Sequence, residues 1–364
     1  MTAATVNGVA SFTGLTYSYP ETIYLRATVA GVSLTPVFSS GITFNTAEEA
    51  AVSIGAAGPA TISSLAYTSA DKVGVLNFRI VDGGTDGFSS KIRQVIVKRD
   101  TTDTTNGWTN YLQGVYITDG AAQVVGRIDD DQIIFGLGEN DIYEVTNGTA
   151  KNFTVSVFLK NPLPLDSDNK VLAFKINPAT DIVFGSPSSK LSTSSLLTSA
   201  PKITVVATNF SISGPSSMNA GDTQPIALKA IDILGNVDKD YTGEKTLIFS
   251  GANVSLKGNH PFETTTNIPF GTDTPVSFTN GQSSSTVGIK LFKSETAYIK
   301  AVDNEGGVVT ANNNALVVTV HGGVATGLSW LVQPVGVVVE NAPWKEFSIA
   351  VTDAYGNTSS SNTE

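Results

Sequence analysis

The sequence contains no cysteine among its 364 residues. Disulfide scaffolds, thiol catalysis and cysteine-ligated zinc are therefore excluded, although a large β-domain can be extracellular without disulfides. No run approaches the roughly 18 apolar residues that a membrane-spanning helix needs, so we expect no membrane insertion. Residues 1–12 lack the basic region and the apolar core that are typical of a signal peptide.

Charged side chains are also scarce, at 15% of the residues, against about 25% in an ordinary globular chain. Thr, Ser, Gly, Asn and Val take their place, and this mixture favours strands and turns over helices. The formal net charge is −10. Because an acidic surface repels phosphate backbones, we expect no nucleic-acid partner.

The chain has only two histidines, His260 and His321, each isolated in a turn-like or strand-end context. Neither is accompanied by a nucleophile elbow. No Walker motif or dinucleotide fingerprint occurs, and a carboxylate pair carries little information in so acidic a β-protein. We therefore expect that this chain is not an enzyme.

Almost every periodic segment alternates apolar and polar residues. Residues 152–159 place Phe153, Val155, Val157 and Leu159 on one face, and residues 285–291 alternate in the same way. Clusters of Gly, Asn, Asp and Pro separate such runs, which predicts an all-β fold of β-sandwich domains. The one weak helix candidate is residues 46–52. Further strand candidates are residues 74–80, 202–206 and 246–249.

One phrase of the sequence occurs twice. AIDILGN at residues 230–236 returns as VTDAYGN at residues 351–357. In this Asp-x-x-Gly-Asn pattern, Asp can accept hydrogen bonds from turn amides and Gly supplies a positive φ. We predict a structural turn between two strands; a ligand site at Asp232 or Asp353 is the alternative.

The repetition also organises the chain. A second echo relates ETIYLRA at residues 21–27 to ETAYIKA at residues 295–301. The predicted segments are 1–42, the C-terminal part of a repeat; 43–205, a larger and distinct β-sandwich domain; 206–322, a complete repeat; and 323–364, the N-terminal part of a further repeat.

This organisation predicts tandem β-sandwiches in an elongated array, in which each unit contacts mainly its neighbours. We expect the sequence to be a window of a longer array. The alternative is that Met1 is the true start and that a short β-unit caps the fold.

Two acidic turns lie in the larger domain, at residues 81–87 and 165–169. Hard oxygen ligands at alternating positions suit Ca²⁺, and glycine permits the tight loop. One structural calcium ion could be shared if the two turns lie at the same end of the sandwich; ordinary Asx-type turns on a solvated surface are the alternative. The candidate ligands are Asp82, Asp86, Asp166, Asp168 and Asn169.

Three further features have simpler interpretations. Residues 129–131 are expected to form an exposed hairpin tip, and residues 99–107, RDTTDTTNG, a polar loop. The three tryptophans are too scattered to form a sugar-stacking platform, so we expect them to pack in cores or interfaces. They are Trp108, Trp330 and Trp344.

The phrases FSISGPS (210–216), AGD (220–222), Asp232-x-x-Gly-Asn and YTG (241–243) resemble bacterial surface immunoglobulin-like repeats. The DGGTDG turn, with Asp168-Asn169 before a strand, resembles modules in giant cell-surface proteins of the Bacteroidota. Those proteins are exported by the type IX secretion system, and the SprB-type gliding-motility adhesins are the family in question.

This resemblance implies that the repeats at 1–42, 206–322 and 323–364 are tandem immunoglobulin-like β-sandwich domains. It also implies an extracellular stalk or filament that displays adhesive regions for surface attachment and gliding motility. It implies anchoring at the outer membrane through parts of the chain not present here. The implied partners are neighbouring repeats, the secretion and gliding machinery, and extracellular surfaces or polysaccharide. Because that group carries O-glycans at Asp-Ser/Thr-x sites, Thr101 and Thr104 become candidate glycosylation sites.

Two other functions remain open from the sequence. Residues 43–205 could be a carbohydrate-binding module of a secreted polysaccharide-degrading protein. The chain could instead belong to an S-layer protein, which predicts two-dimensional self-assembly that usually depends on calcium. The acidic turns are compatible with both.

Overall fold

The computed structural model describes residues 2–17, 19, 21–44, 48–284, 287–334, 336, 340–341 and 343–359. These residues fold almost wholly into strands, which confirms the predicted all-β class. Among them, no helix is long and apolar enough to cross a bilayer.

The strands are short and are separated by turns. Up to residue 204 the elements are β1 (Thr22–Ile23), β2 (Arg26–Ala27), β3 (Val37–Phe38), β4 (Ile42–Thr43), β5 (Glu48–Ile54), β6 (Thr61–Ser63), β7 (Val73–Val81), β8 (Ser90–Arg99), a 3-10 turn (Trp108–Asn110), β9 (Leu112–Thr118), β10 (Gln123–Val125), β11 (Arg127–Ile128), β12 (Gln132–Phe135), β13 (Tyr143–Val145), β14 (Ala150–Leu159), β15 (Phe174–Ile176), α1 (Pro178–Asp181), β16 (Ile182–Phe184), β17 (Lys190–Ser194), β18 (Leu197–Ser199) and β19 (Lys202–Thr204).

The later elements follow the same pattern. They are β20 (Asn209–Ser213), β21 (Ser217–Asn219), β22 (Thr223–Ile231), β23 (Gly243–Ser250), β24 (Phe262–Glu263), β25 (Ile268–Pro269), β26 (Asp273–Thr279), β27 (Gln282–Ser283), β28 (Val287–Lys290), β29 (Glu295–Asp303), β30 (Val308–Val309), a 3-10 turn (Asn312–Asn314), β31 (Leu316–His321), β32 (Ala325–Val332) and β33 (Ser348–Asp353).

The chain divides into two compact units. The division does not coincide with the four predicted segments, and those segments stay a prediction. Residues 1–60 group with most of the larger domain, while two loops of that domain group with the repeats. Unit 1 is Met1–Ala60, Thr68–Leu159 and Val171–Pro201; unit 2 is Thr61–Tyr67, Lys160–Lys170 and Lys202–Glu364.

Unit 1 contains two large sheets. One has the order β10-β9-β14-β7-β5-β17, with only the β5–β17 pair parallel. The other is built around the long strand β8, which pairs with β12, β13, β15 and β16. The Tyr143 ring of the second sheet lies 5.2 Å from Phe153 of the first. The sheets therefore pack face to face as a sandwich.

The predicted alternation in β14 is confirmed, because Phe153, Val155, Val157 and Leu159 are each at most 1% exposed. The predicted hairpin tip is also confirmed, since β11 and β12 pair on either side of residues 129–131.

The weak helix prediction at residues 46–52 was wrong where the structure describes it. Residues 45–47 lie outside the described part, and Glu48–Ile54 forms strand β5. Ala50 and Val52 are buried at alternate positions. Because β5 hydrogen-bonds to β7 on one side and to β17 on the other, sheet pairing overrides the modest helix preference of Ala and Glu.

Unit 2 contains residues 206–322, the predicted complete repeat. Its two longest strands change partners along their length: β22 pairs with β28 and then with β20, while β29 pairs with β31 and then with β23. These changes join the pairings into a ring, β20-β30-β29-β23-β26-β27-β22-β20. The ring encloses one apolar core around Phe210, Phe249 and Phe278. Strand β21 lies parallel to β31, which is the last strand of the repeat.

The two predicted partial repeats contain simple antiparallel pairs. In unit 1, β1 pairs with β4 and β2 pairs with β3. In unit 2, β32 pairs with β33. Unit 2 also contains a short parallel pair, β6 with β19, which holds residues 61–67 beside the start of the complete repeat.

Candidate functional site

The repeated phrase forms the same turn twice, and we name residues 232–236 turn A and residues 353–357 turn B. In turn A, the Asp232 carboxylate accepts hydrogen bonds from the backbone N–H groups of Leu234 (2.8 Å) and Asn236 (2.9 Å). It also accepts one from the Asn236 side-chain amide at 2.8 Å. Gly235 has φ +90°, a conformation that glycine adopts without strain.

Turn B repeats this arrangement. The Asp353 carboxylate accepts from Tyr355 N and Asn357 N, both at 2.9 Å, and from the Asn357 side chain at 2.8 Å. Gly356 has φ +89°. The predicted structural turn is therefore confirmed at both places, with Asp and Gly in the predicted roles.

Each turn also bonds to residues outside itself. In turn A, the Asp232 carboxylate accepts a hydrogen bond from the buried Ser64 hydroxyl at 2.7 Å. In turn B, the Asp353 carboxylate accepts one from Gly323 N at 2.8 Å. Both aspartates are at most 2% exposed. Turn A is therefore a joint between two segments of the chain as well as a strand connection, and turn B fixes the chain just before β32.

Turn B reaches further into the complete repeat that precedes it. The Asn357 amide donates to Phe292 O at 2.8 Å, and its oxygen accepts from Ser294 N at 2.7 Å. The Tyr355 ring lies 4.8 Å from the Phe292 ring. A side chain at Gly221 would collide with this tyrosine, because a Cβ there would overlap the Tyr355 hydroxyl and ring.

Beside turn A lies a cluster of three carboxylates, Asp168, Asp238 and Asp240, whose ligand oxygens lie within 4.8 Å of one another. Asp168 and Asp238 are buried, and Asp240 is exposed. Asp168 accepts from Val205 N (2.8 Å) and Lys239 N (2.7 Å). Within the described residues this is the set that could hold a cation, and carboxylate oxygens are the ligands that Ca²⁺ prefers.

The predicted calcium ligands of the second acidic turn are all close to this cluster. Asp168 belongs to it, and the Asn169 side chain donates to Asp240 at 2.8 Å. Asp166 is paired with the Lys239 ammonium at 3.3 Å. The sequence did not point to Asp238 and Asp240, which lie about 70 residues further along the chain.

The two predicted ligands of the first acidic turn belong to unit 1 and have other partners. The buried Asp82 carboxylate accepts from Gly148 N (2.9 Å) and the Ser90 hydroxyl (2.7 Å). Asp86 accepts from Phe88 N at 2.8 Å. Both carboxylates thus serve as turn acceptors inside unit 1, and a calcium role for them stays a prediction.

The joints differ in the proton affinity of their carboxyl groups. Burial raises the pKa of Asp168 above its usual value, and the negative charges of Asp240 and Asp238 add to this against the lowering by its two N–H bonds. Burial also disfavours the charged form of Asp353. There, however, the bonds from Asn357, Gly323 and Tyr355 hold the pKa below its usual value.

The polar loop at residues 99–107 is organised by Asp103, whose side chain is 1% exposed. It accepts hydrogen bonds from Arg99 Nε (3.0 Å), Trp108 Nε1 (2.9 Å) and Ala173 N (2.8 Å). Trp108 is fully buried, as predicted. This anchoring role of Asp103 was missed from the sequence, because its partner Ala173 lies 70 residues further along the chain.

The two candidate glycosylation sites differ. Thr101 is exposed, and its only hydrogen bond described in the structure is to its neighbour Asp100, at 3.3 Å. Thr104 is exposed, but its hydroxyl accepts a bond from Val171 N at 2.7 Å. Thr101 is therefore the less constrained hydroxyl, and glycosylation of either stays a prediction.

The other two tryptophans do not lie in a core of the described structure, and their packing at an interface stays a prediction. Trp330 and Trp344 are 44% and 62% exposed. Both rings lie about 6 Å from Phe347, at 6.1 and 6.0 Å. Trp330 and Trp344 are 14 residues apart in the sequence, and this separation hid their grouping around Phe347. His260 and His321 are both exposed.

Comparisons with known proteins leave the family open. No protein-family model and no curated protein match this chain. Among solved structures, a serine-rich repeat protein (Srr2) from Streptococcus agalactiae shares 11% identity, with 72% of this chain and 90% of that chain covered, at a TM-score of 0.19. A glycosyl hydrolase family 2 member from Bacteroides cellulosilyticus shares 9% identity, with 82% and 34% covered, at 0.16. At these TM-scores neither similarity carries an argument about fold or function.

Proposed function

We propose that this chain is a mechanical segment of an extracellular, cell-surface adhesin or filament. The observation that supports this most is the recurrence of one buried turn as a joint. Turns A and B use the same internal bonds, and each fixes its repeat to the segment before it. An array of β-sandwiches gains length and stiffness in this way, by repeating one unit with one kind of neighbour contact.

The proposal assigns no reaction to the chain. The cavity beside turn A, lined by residues 162–168 and 234–237, has a volume of about 150 Å³. Binding sites for small molecules usually measure about 300–1,000 Å³. The polar side chains of the turns already have partners, since both aspartates and Asn357 are buried and hydrogen-bonded.

The finer part of the proposal rests on the sequence resemblance. It assigns the chain to a Bacteroidota protein that the type IX system exports and that is anchored at the outer membrane outside this segment. Its partners are neighbouring repeats, the gliding machinery and extracellular surfaces or polysaccharide. Thr101 carries the proposed O-glycan, which mass spectrometry of peptides covering residues 99–108 would reveal.

The decisive experiment uses intact cells and an antibody against residues 206–322. External protease should remove the antigen, and denaturing electrophoresis should show a polypeptide far larger than 37.9 kDa, the mass of this sequence. Disruption of the gene should reduce attachment and gliding. An antigen that protease reaches only after lysis would overturn the extracellular proposal.

A calcium ion at Asp168, Asp238 and Asp240 would strengthen the joint at turn A. Extracellular calcium modules bind at about 10⁻⁴–10⁻³ M, so 5 mM CaCl₂ should stabilise unit 2 by about 1–2 kcal/mol. The measurement is the thermal midpoint with CaCl₂, with MgCl₂ and with EDTA. Asp240→Asn should remove the calcium effect, and the exposed Asp273→Asn should retain it. An equal midpoint in all three solutions would remove calcium from the proposal.

One observation favours a second candidate, carbohydrate binding. The exposed rings of Trp330, Phe347 and Trp344 could stack on sugar faces. Trp344→Ala tests this idea: binding on a glycan array that the variant loses would support it. An absence of binding by the unsubstituted chain would exclude it.

A further inference from the structure

The outward face of strand β29 carries a row of polar residues over a closed core. Alternate residues of β29 are buried, and Ala297 and Ile299 belong to the apolar core that the ring of unit 2 encloses. Thr296, Tyr298 and Lys300 lie on the opposite side of the strand, and we name them stripe 2. Tyr298 is 52% exposed. Because the core beneath stripe 2 is complete, the exposure of this tyrosine does not depend on any further segment of the chain.

The same row of residue types occurs a second time in the chain. The echo at residues 21–27 has Thr22, Tyr24 and Arg26 at the positions of stripe 2, and we name them stripe 1. All three are exposed. Thr22 faces a threonine of the neighbouring strand, as Thr296 does. Each stripe is thus a tyrosine between a threonine and a basic residue.

The sheet around stripe 2 carries hydroxyl groups. Tyr298 faces Val317 of β31, and Thr296 faces Thr319, which in turn faces Ser217 of β21. The other polar residues at outward positions of β21 and β31 are Asn219 and His321. Within the described strands β21, β29 and β31, no aspartate or glutamate lies on this outward face, although the whole chain has a net charge of −10.

The two carboxylates of β29 lie at inward positions and have partners there. Glu295 accepts hydrogen bonds from the backbone N–H and the side-chain amide of Asn253, both at 2.7 Å. The buried Asp303 accepts a hydrogen bond from the Tyr241 hydroxyl at 2.6 Å. Neither carboxylate therefore neutralises the basic residue of stripe 2.

The polar groups of stripe 2 are available to a ligand. Among the described residues, the hydroxyls of Thr296 and Tyr298 have no hydrogen-bond partner. The Lys300 ammonium donates to Asn312 Oδ1 at 2.6 Å. This amide is neutral, so the positive charge remains, and an ammonium group has two further N–H donors.

We infer that the two stripes bind an acidic polysaccharide, a sugar polymer that carries carboxylate groups. An exposed tyrosine offers a flat apolar ring to the face of a sugar and a hydroxyl to its polar edge. The neighbouring threonine hydroxyls suit sugar hydroxyls, and the Lys300 or Arg26 cation suits a sugar carboxylate. This inference rests on the proposed function and deepens it, because it names the class of polymer that the adhesin contacts.

The composition of the stripes favours such a polymer over other anionic partners. Each stripe has one cation, which is too few to hold the dense phosphate charge of a nucleic acid against a chain of net charge −10. A polysaccharide repeats its carboxylates along its length, so that one polymer can engage both stripes. Two weak contacts on one polymer then give a much stronger overall attachment.

Affinity electrophoresis of the whole chain in gels that contain polygalacturonate tests this inference, with neutral dextran as the control polymer. We expect retardation by polygalacturonate alone, and less retardation as salt is added. Tyr298→Ala combined with Lys300→Gln removes stripe 2 and should weaken binding at least about tenfold, because only one stripe remains. The further addition of Tyr24→Ala and Arg26→Gln should abolish binding.

Matched controls lie outside the stripes. Tyr67→Ala and Lys229→Gln change an exposed tyrosine and an exposed lysine and should leave binding unchanged. Circular dichroism checks that every variant is folded. Equal retardation by dextran, retention of binding by the fourfold variant, or loss of binding in Trp344→Ala alone would overturn the inference. An antigen that external protease removes from cells, together with no retardation by polygalacturonate, would overturn this inference and leave the proposed function standing.

Discussion

Turns A and B have nearly identical interiors and different exteriors. Inside each, one aspartate accepts two backbone N–H bonds and one asparagine amide bond, and a glycine adopts a positive φ. Outside, turn A meets a serine hydroxyl and a cluster of carboxylates, whereas turn B meets backbone groups and the Phe292 ring. The five-residue phrase therefore specifies the turn, and its surroundings specify what the turn joins.

The difference suggests two kinds of joint built on one turn. The joint at turn A depends on charge, because Asp168, Asp238 and Asp240 lie together beside Lys239. The joint at turn B depends on packing against Phe292, on the neutral hydrogen bonds of Asn357 and on a single carboxylate, Asp353. Substitutions and pH should therefore affect the two joints in different ways.

The largest effect is expected from removing the turn carboxylates. Asp232→Ala leaves Leu234 N, Asn236 N and the Ser64 hydroxyl without their acceptor, which should cost about 2–4 kcal/mol. Asp353→Ala should cost a similar amount but loosen only residues 323–359. For Asp232→Ala, calorimetry should show a lower unfolding temperature of unit 2. For Asp353→Ala, limited proteolysis should show faster cleavage within residues 323–359.

The exposed Asp273→Ala is the control for both substitutions and should change neither readout. If Asp353→Ala destabilised the complete repeat as much as Asp232→Ala does, the two turns would not be separate joints.

The glycines should give the next largest effects. Gly235→Ala and Gly356→Ala both force a side chain into a positive φ, at about 1–2 kcal/mol. A Cβ at Gly235 meets nothing within 4 Å, but one at Gly356 lies 3.1 Å from Leu256 Cβ. Chemical denaturation should therefore show Gly356→Ala to be the costlier change. Gly327→Ala, in ordinary contact only and without a positive φ, should be neutral.

Lowering the pH should change the stability contributions of Asp168, at turn A, and Asp353, at turn B, in opposite directions. The pKa of Asp168 is raised, so its contribution to stability is fully present below about pH 3.9, the unfolded value, and is lost as pH rises through the folded pKa. The pKa of Asp353 is lowered, so its contribution is present above about pH 3.9 and is lost as pH falls through the folded pKa.

Denaturation between pH 3 and 6 can resolve this difference. As pH falls, the stability deficit of Asp353→Asn against the unsubstituted chain should shrink, while that of Asp168→Asn should grow. Parallel curves for both variants would mean that neither carboxyl changes its proton affinity on folding.

The smallest effect should come from Ser64→Ala. It removes one hydroxyl donor from Asp232, which keeps its three donors within turn A, so the expected cost is about 1 kcal/mol. The equivalent donor at turn B is the backbone of Gly323, which no side-chain substitution removes. Ser69→Ala, at an exposed position, is the control. If Ser64→Ala lowered the free energy of unfolding as much as Asp232→Ala does, the joint at turn A would depend mainly on the Ser64 hydroxyl.

Local patterns predicted what depends on neighbours in sequence. The alternation at Phe153–Leu159 and the Asp-x-x-Gly-Asn turn both follow from side-chain direction and backbone preference within a few residues. Strand β5 was misjudged because pairing with β7 and β17 decides its conformation, and those partners are distant in sequence.

The site was harder to predict for the same reason. Asp168 was identified from its own acidic turn, but Asp238 and Asp240 join it only through the fold. Asp103 looked like one residue of a polar loop, although it accepts bonds from Arg99, Trp108 and Ala173. Trp330 and Trp344 meet at Phe347 across a connection whose length hides their proximity.

The parallel pair of β21 and β31 has a consequence for a chain under tension. Strand β21 lies near the entrance of the repeat and β31 is its exit, and three residue pairs align in register between them. Pulling on the two ends slides such strands along each other, so the bonds share the load and must fail together. A repeat in a surface stalk would then resist unfolding by force until all of these bonds break together. Met218 lies in the middle of β21, and its replacement by Pro should lower the rupture force in single-molecule pulling.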